Sequence, residues 1–259
     1  MDTHSTPFFT KLQARGLIHI EGTDRHDFLQ GLISNDIHKL SAGHLLYACL
    51  LTPQGKFLHD FFIQEGDGFL LLDCEGGARA RDLYQRLNTY RLRADVRLSI
   101  EEDNSVYAVF GFKEGLPDPR HPDMDFRSFE KPDMEEKPFA EWDRRRITLG
   151  IPDGSRDMEV ERSTLLECRI DKLNGIDWNK GCYMGQELTA RTHHRGLCKK
   201  HLVPVKLNAP AQPPFTDIEI CGKIVGNMRS SCGDIGLALL KDEHIKNMKE
   251  NKNGNLIPL

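Results

Sequence analysis

The stretch from Tyr47 to Cys74, YACLLTPQGKFLHDFFIQEGDGFLLLDC, constrains the fold most. Three apolar runs are separated by PQGK and GDG, whose glycines and proline suit tight turns and break helices. Runs this short, rich in aromatic and branched residues, read as strands, so the stretch predicts a hairpin extended by a third antiparallel strand. GLIHIEG ahead of it alternates apolar and polar residues like a half-buried strand. Thr23 then offers an N-cap, and Phe28, Leu29, Leu32 and Ile33 form a helical apolar stripe.

Beyond Cys74, ARARDLYQRLNTY predicts a helix with Leu83, Leu87 and Tyr90 on one side, and ADVRLSIEE and VYAVFGF predict two further strands. Between Lys113 and Pro138 five prolines interrupt any period, which predicts an irregular surface connection. Regular structure is expected again in AEWDRRRITLG and in ERSTLLECRIDKL. After Gly196 the segments KKHLVPVKL, DIEICGKIVGNM and DIGLALL are short strands punctuated by Pro and Gly, the pattern of a small barrel. The charged tail after Leu240 is expected to be partly ordered. The expected architecture is α+β over residues 1–198, with a short β-barrel over 199–259.

Composition narrows function by exclusion. No apolar run reaches the roughly 20 residues that span a bilayer, and MDTHSTPFFTKLQARG has neither a signal-peptide core nor an Arg-rich transit pattern, so a cytoplasmic protein without a membrane partner is expected. A formal net charge of −4 argues against direct nucleic-acid binding. The seven cysteines contain no C-x-x-C pair, which removes zinc ribbons and thioredoxin-like centres. His193, His194, Cys182 and Cys198 do not have the spacing of a cluster or metal site, so no stably bound metal is expected.

One thiol stands apart. In NKGCYMGQELTAR, Cys182 lies between Gly181 and Gly185, whose missing Cβ permits tight turns and close approaches. The helix predicted from Gly185 onward places Cys182 just ahead of a helix N-terminus, where the dipole and the Lys180 charge favour a thiolate. Arg191 and Arg195 project from one face of that helix and suit a carboxylate or phosphate. Spacing alone equally allows a small residue packed in a turn.

At these residues the chain resembles a known family. KGCYMGQE is similar to the K-G-C-[FY]-x-G-Q-E signature of YgfZ-type proteins, relatives of the folate-dependent aminomethyltransferase of the glycine cleavage system. RGLIHIEGTDRHDFLQGLISNDIHKL, LLTPQGKFLHDFFI, YRLRADV, LGIP and GKIVGNMRSSCGDIGLALL follow the family order over nearly the whole chain. The resemblance implies interlocked folate-binding α/β parts around a central cavity, a C-terminal barrel, and tetrahydrofolate or a one-carbon derivative as cofactor. It implies work on iron–sulfur clusters with client enzymes, tRNA-modifying radical enzymes among them, or with cluster-assembly proteins. Cys182 would be the critical thiol, supported by Lys180, Gly181, Tyr183, Gly185, Gln186, Glu187, Arg191 and Arg195; Asp60, Glu187, Arg191, Asn35 and Asp36 would be folate contacts.

The departures matter as well. The aminomethyltransferases carry G-G-x-x-D-D where this chain has GKFLHD, so His59 stands at the first acidic position and only Asp60 remains. An imidazole is a poor substitute for a fixed carboxylate base, which argues against aminomethyl transfer. The barrel is short for the family. Three readings therefore stand: a folate-binding accessory protein with a reactive cysteine, an aminomethyltransferase or demethylase, and a non-catalytic client-binding scaffold.

Overall fold

A computed structural model of the chain describes residues 6–101, 105–220, 222–245 and 256–258. It opens with β1 (Phe8–Lys11), β2 (Arg15–Glu21) and α1 (Arg25–Gln30), then the predicted meander as β3 (Leu45–Leu51), β4 (Phe57–Glu65) and β5 (Phe69–Glu75). After α2 (Ala78–Arg91), β6 (Arg97–Glu101) closes a five-stranded antiparallel sheet in the order β3-β4-β5-β2-β6. All seven β3 residues are buried, because the sheet is covered on both faces. One face packs Ile18, Ala48, Phe61 and Ile63 on Leu29, Leu83 and Leu87 of the helices. The other packs Tyr47, Cys49 and Phe62 on Phe8, Phe110 and Trp142. Each leucine, isoleucine or phenylalanine among them contributes about 1.5–3 kcal/mol on burial. Tyr90 does not join the α2 stripe; it is exposed near the helix end. Thr23 does not cap α1 either: Asp24 is the cap residue and the Thr23 hydroxyl donates to Asp95.

The proline-rich stretch departs from expectation. With β7 (Tyr107–Phe110), it supplies β8 (Leu116–Pro117), β9 (Phe126–Ser128) and β10 (Glu135–Glu136), making a second sheet, β10-β1-β7-β9-β8. Prolines fit here because these strands are two or three residues long. The stretch runs mostly along the surface, as expected, but it sends Asp118, Arg120 and Arg127 into the interior.

After α3 (Phe139–Thr148), residues 160–174 run as successive turns rather than the regular element expected, with Glu161, Arg169 and Asn174 at positive φ. Then come α4 (Gln186–His194), β11 (Lys200–Leu207), β12 (Asp217–Ile220), β13 (Lys223–Cys232), β14 (Ile235–Lys241) and β15 (Leu256–Pro258). The last five strands pair in the order β12-β13-β14-β11-β15. Much of the charged tail lies outside the described residues. α3 joins this sheet to the rest: Ile147 packs on Leu202, Leu237 and Leu239, and fully buried Arg146 bonds Asp143, Asp157 and the Ser230 hydroxyl. No helix among the described residues is long and apolar enough to cross a membrane.

Candidate functional site

The motif segment is laced onto the turn that follows α1. The Asp177 amide donates to the Ser34 carbonyl (3.1 Å) and the Met184 amide to that of Gly31 (3.0 Å). In return the Ser34 hydroxyl donates to the Gly175 carbonyl (2.6 Å) and the Asn35 amide to that of Asn174 (2.8 Å). Lys180 supplies three more bonds from Nζ, to the carbonyls of Gln30 (2.8 Å), Ile33 (2.7 Å) and Asn35 (2.8 Å). An ammonium has three protons, so all three are used on backbone oxygen. Burial pushes Lys180 down to about 8, with Asp36 and Asp177 pulling it up. Its ammonium also lies 4.9 Å from the Tyr183 ring centroid. Lys180 thus fastens the segment, a different role from tuning the thiol.

The remaining expected residues separate into buried supports and exposed groups. Asn35 uses its amide on Tyr47, Asn174 and the Asp36 N–H, and Asp36 accepts from Gln30 and the His38 N–H, so both hold the turn. Gly185, at φ +79, caps α4 against the β3–β4 turn. Gly181 differs: its φ is ordinary, and apart from its two chain neighbours no described residue comes within 4 Å of where a Cβ would stand. Gln186 accepts from the Tyr183 N–H, and Tyr183 is packed on the core, which pushes its hydroxyl up to about 12. Cys182 is an exposed free thiol. Glu187 and Arg191 are exposed on α4, and Arg195 is exposed as the cap residue just past its C-terminal end rather than within the helix. Trp178, reaching over from the motif segment, stacks on His193 with centroids 3.9 Å apart.

A second group of residues is buried. Asp60 on β4, paired across the ladder with Cys49, is 2% exposed. The Tyr47 hydroxyl donates to its Oδ2 at 2.9 Å, whereas Oδ1 has no hydrogen-bond partner among the described residues. Burial pushes Asp60 up to about 6, opposed by Arg15, Tyr47 and Arg120. Nearby, Arg15 and Arg127 converge on Asp73 (Nε at 2.6 and 2.9 Å), and Arg120 grips Asp118 (2.8 and 3.0 Å). The Arg127 and Arg120 guanidiniums lie 4.0 and 4.7 Å from the Phe62 ring centroid.

These arginines were not among the expected site residues, and their one sequence signal was the aspartates interrupting apolar β4 and β5. His59, by contrast, turns to the opposite face. Its Nε2 lies 2.7 Å from Asp82 on α2, and burial lowers it to about 4. An acceptor such as Asp60 Oδ1, buried without a donor, fits a ligand that brings an N–H, as a pterin does.

Comparisons with known proteins agree with this architecture. Residues 199–256 match the family described as "CAF17, C-terminal beta-barrel domain". The human iron–sulfur cluster assembly factor IBA57, mitochondrial, is 32% identical over 91% of this chain and 78% of its own length. The IBA57 homolog of Mycosarcoma maydis is 32% identical over 83% of this chain, which spans 61% of that relative. Among solved structures, the glycine cleavage system aminomethyltransferase T of Bartonella henselae superposes with a TM-score of 0.70 at 14% identity, covering 91% of this chain and 78% of that one. This last likeness shows the fold.

Proposed function

Because the chain belongs to the IBA57 family of iron–sulfur cluster assembly factors, we propose that it is an accessory protein for the assembly or repair of iron–sulfur clusters in client enzymes, that it binds tetrahydrofolate, and that it acts through Cys182. The observation that carries this reading is an exposed free thiol on a segment fastened by Lys180 to three carbonyls. Such a thiol is accessible to a partner yet held in place. It can replace a thiolate ligand of a cluster: the Cys182 sulfur bonds iron, and the departing thiolate takes up the proton that Cys182 gives up. The cluster is cargo in this reading.

For the folate, Asp60 Oδ1 would accept an N–H of the pterin while Tyr47 holds Oδ2. Glu187 and Arg191, exposed on α4, are offered to the ligand's polar groups, and Asn35 and Asp36 serve by shaping the turn. Bound tetrahydrofolate would supply one-carbon chemistry. Aminomethyl transfer is the weaker reading, because His59 faces Asp82 and leaves Asp60 without the neighbouring carboxylate of the G-G-x-x-D-D pattern. tRNA-modifying radical enzymes are the proposed client class. The cytoplasmic placement expected above contrasts with relatives named mitochondrial, and imaging of a C-terminally tagged chain separates the two.

The test is Cys182→Ser in cells lacking the protein. The variant should fold with unchanged melting temperature and fail to restore activity of a cluster-dependent enzyme; full restoration would overturn the role of the thiol. Calorimetric titration of the purified chain with tetrahydrofolate tests the cofactor separately.

A further inference from the structure

From Leu188 to Thr216 the chain has no Asp or Glu, although its net charge is −4. Arg191, Arg195, Lys199 and Lys200 follow one another along the end of α4 and into β11, and all four are exposed. Among the described residues none of the four has a carboxylate partner. Charge of one sign gathered this way creates a local field that the overall negative charge does not cancel at short range.

Beside this strip lies a cavity of about 320 Å³ walled by Arg169, Lys172, Thr192, His193, Cys198 and His201. Its own carboxylate, Asp171, sits 3.6 Å from Lys172, and His201 is held by Asp242 at 2.6 Å. Arg169 has no such partner among the described residues, and it is presented from a backbone at φ +58. Two apolar groups flank the strip: Trp178, 39% exposed and stacked on His193, and Leu197, 51% exposed. Exposed aromatic and aliphatic side chains beside unpaired arginines are the composition of a protein-binding surface.

We propose that this face docks an acidic segment of a protein partner, with one carboxylate entering the cavity beside Arg169 and apolar side chains seated against Trp178 and Leu197. The identity of that partner rests on the assembly-factor reading above; the docking requires neither the folate nor the Cys182 thiol. A single-stranded nucleic acid fits less well. Such ligands stack successive bases on open aromatic faces, and here one face of Trp178 is covered by His193.

The probe is a fluorescein-labelled hexaglutamate peptide, followed by anisotropy on the full chain. Saturable binding is expected, weakening about tenfold in Lys199→Glu/Lys200→Glu, in Arg169→Ala and in roughly 300 mM salt. Arg97→Glu/Arg162→Glu, with the same change in net charge at other exposed positions, should stay within about twofold of the parent. No binding by the parent overturns the proposal, as does equal loss in the control pair, or tighter binding of a ten-nucleotide oligouridylate. Lys199 and Lys200 are exposed, so that variant tests the surface even where Arg169→Ala disturbs its turn. A tetrahydrofolate titration on the same preparation separates failures. Peptide binding without folate binding sinks the cofactor reading alone, and the converse sinks the docking face alone.

Discussion

Gly185 and Gly55 meet backbone to backbone, both at positive φ (+79 and +76). A Cβ on Gly185 would stand 2.9 Å from Leu51 Cβ and 3.1 Å from Gly55 Cα; one on Gly55 would stand 2.7 Å from the Gly185 carbonyl oxygen. The hairpin turn and the motif therefore interlock through two missing side chains. Gly185→Ala should cost about 2–4 kcal/mol in urea unfolding, from left-handed strain plus overpacking. Gly181→Ala, with open space around it, should cost under about 1 kcal/mol. Equal costs for the two would show that the motif does not pack on the turn as described.

Lys180→Met tests the fastening. It removes three bonds and leaves the carbonyls of Gln30, Ile33 and Asn35 without their donor. A bond from a charged donor is worth about 1.5–3 kcal/mol, and these three are not additive. The expected global cost is about 2–3 kcal/mol. The local signature is faster hydrogen exchange at the Asp177 and Met184 amides, which bond the same turn. Unchanged exchange at both would mean that the segment is held without Lys180.

How much of this was readable follows from where each signal lies. The β3–β5 meander, α2 and α4 were legible because periodicity and turn residues are local. The short strands within residues 113–138 were not legible because the reason for their order is distant. Arg127 meets Asp73 across 54 positions, and an aspartate interrupting apolar β5 signals a buried partner without saying which residue it is. Residues 160–174 have apolar spacing suited to a helix, yet Glu161 and Arg169 adopt left-handed backbone that breaks it. At the site, the signature singled out Cys182 and Lys180. It could not reveal what Lys180 does, because the partners are carbonyls, which every residue carries.

Asp60→Asn should separate stability from ligand binding. Asp60 is held at about 6 against an ordinary 3.8, so its protonated form is the one the fold favours. Its contribution is fully present below 3.8 and is lost as pH rises through 6, leaving a net cost at neutral pH. The amide removes that cost, set against the buried N–H group it introduces. At pH 7.5 the variant should gain about 1–2 kcal/mol while tetrahydrofolate affinity falls about tenfold or more. A variant that is less stable at pH 7.5 and binds folate as before would contradict both parts.

His59 titrates with the opposite sign. It is 1% exposed, faces Asp82 with Arg79 and Arg86 nearby, and is lowered from 6.5 to about 4, chiefly by burial. Above 6.5 it is neutral in both folded and unfolded chains. As pH falls, the unfolded chain takes up the proton first, so stability drains away between 6.5 and 4. The loss amounts to roughly 3 kcal/mol at most. Asp60 works against it below 6, so the parent alone would show only the difference. His59→Gln isolates the imidazole: its urea midpoint should fall less between pH 7 and pH 4.5 than the parent's. An identical fall in both would mean that His59 takes up its proton in the folded chain as readily as in water.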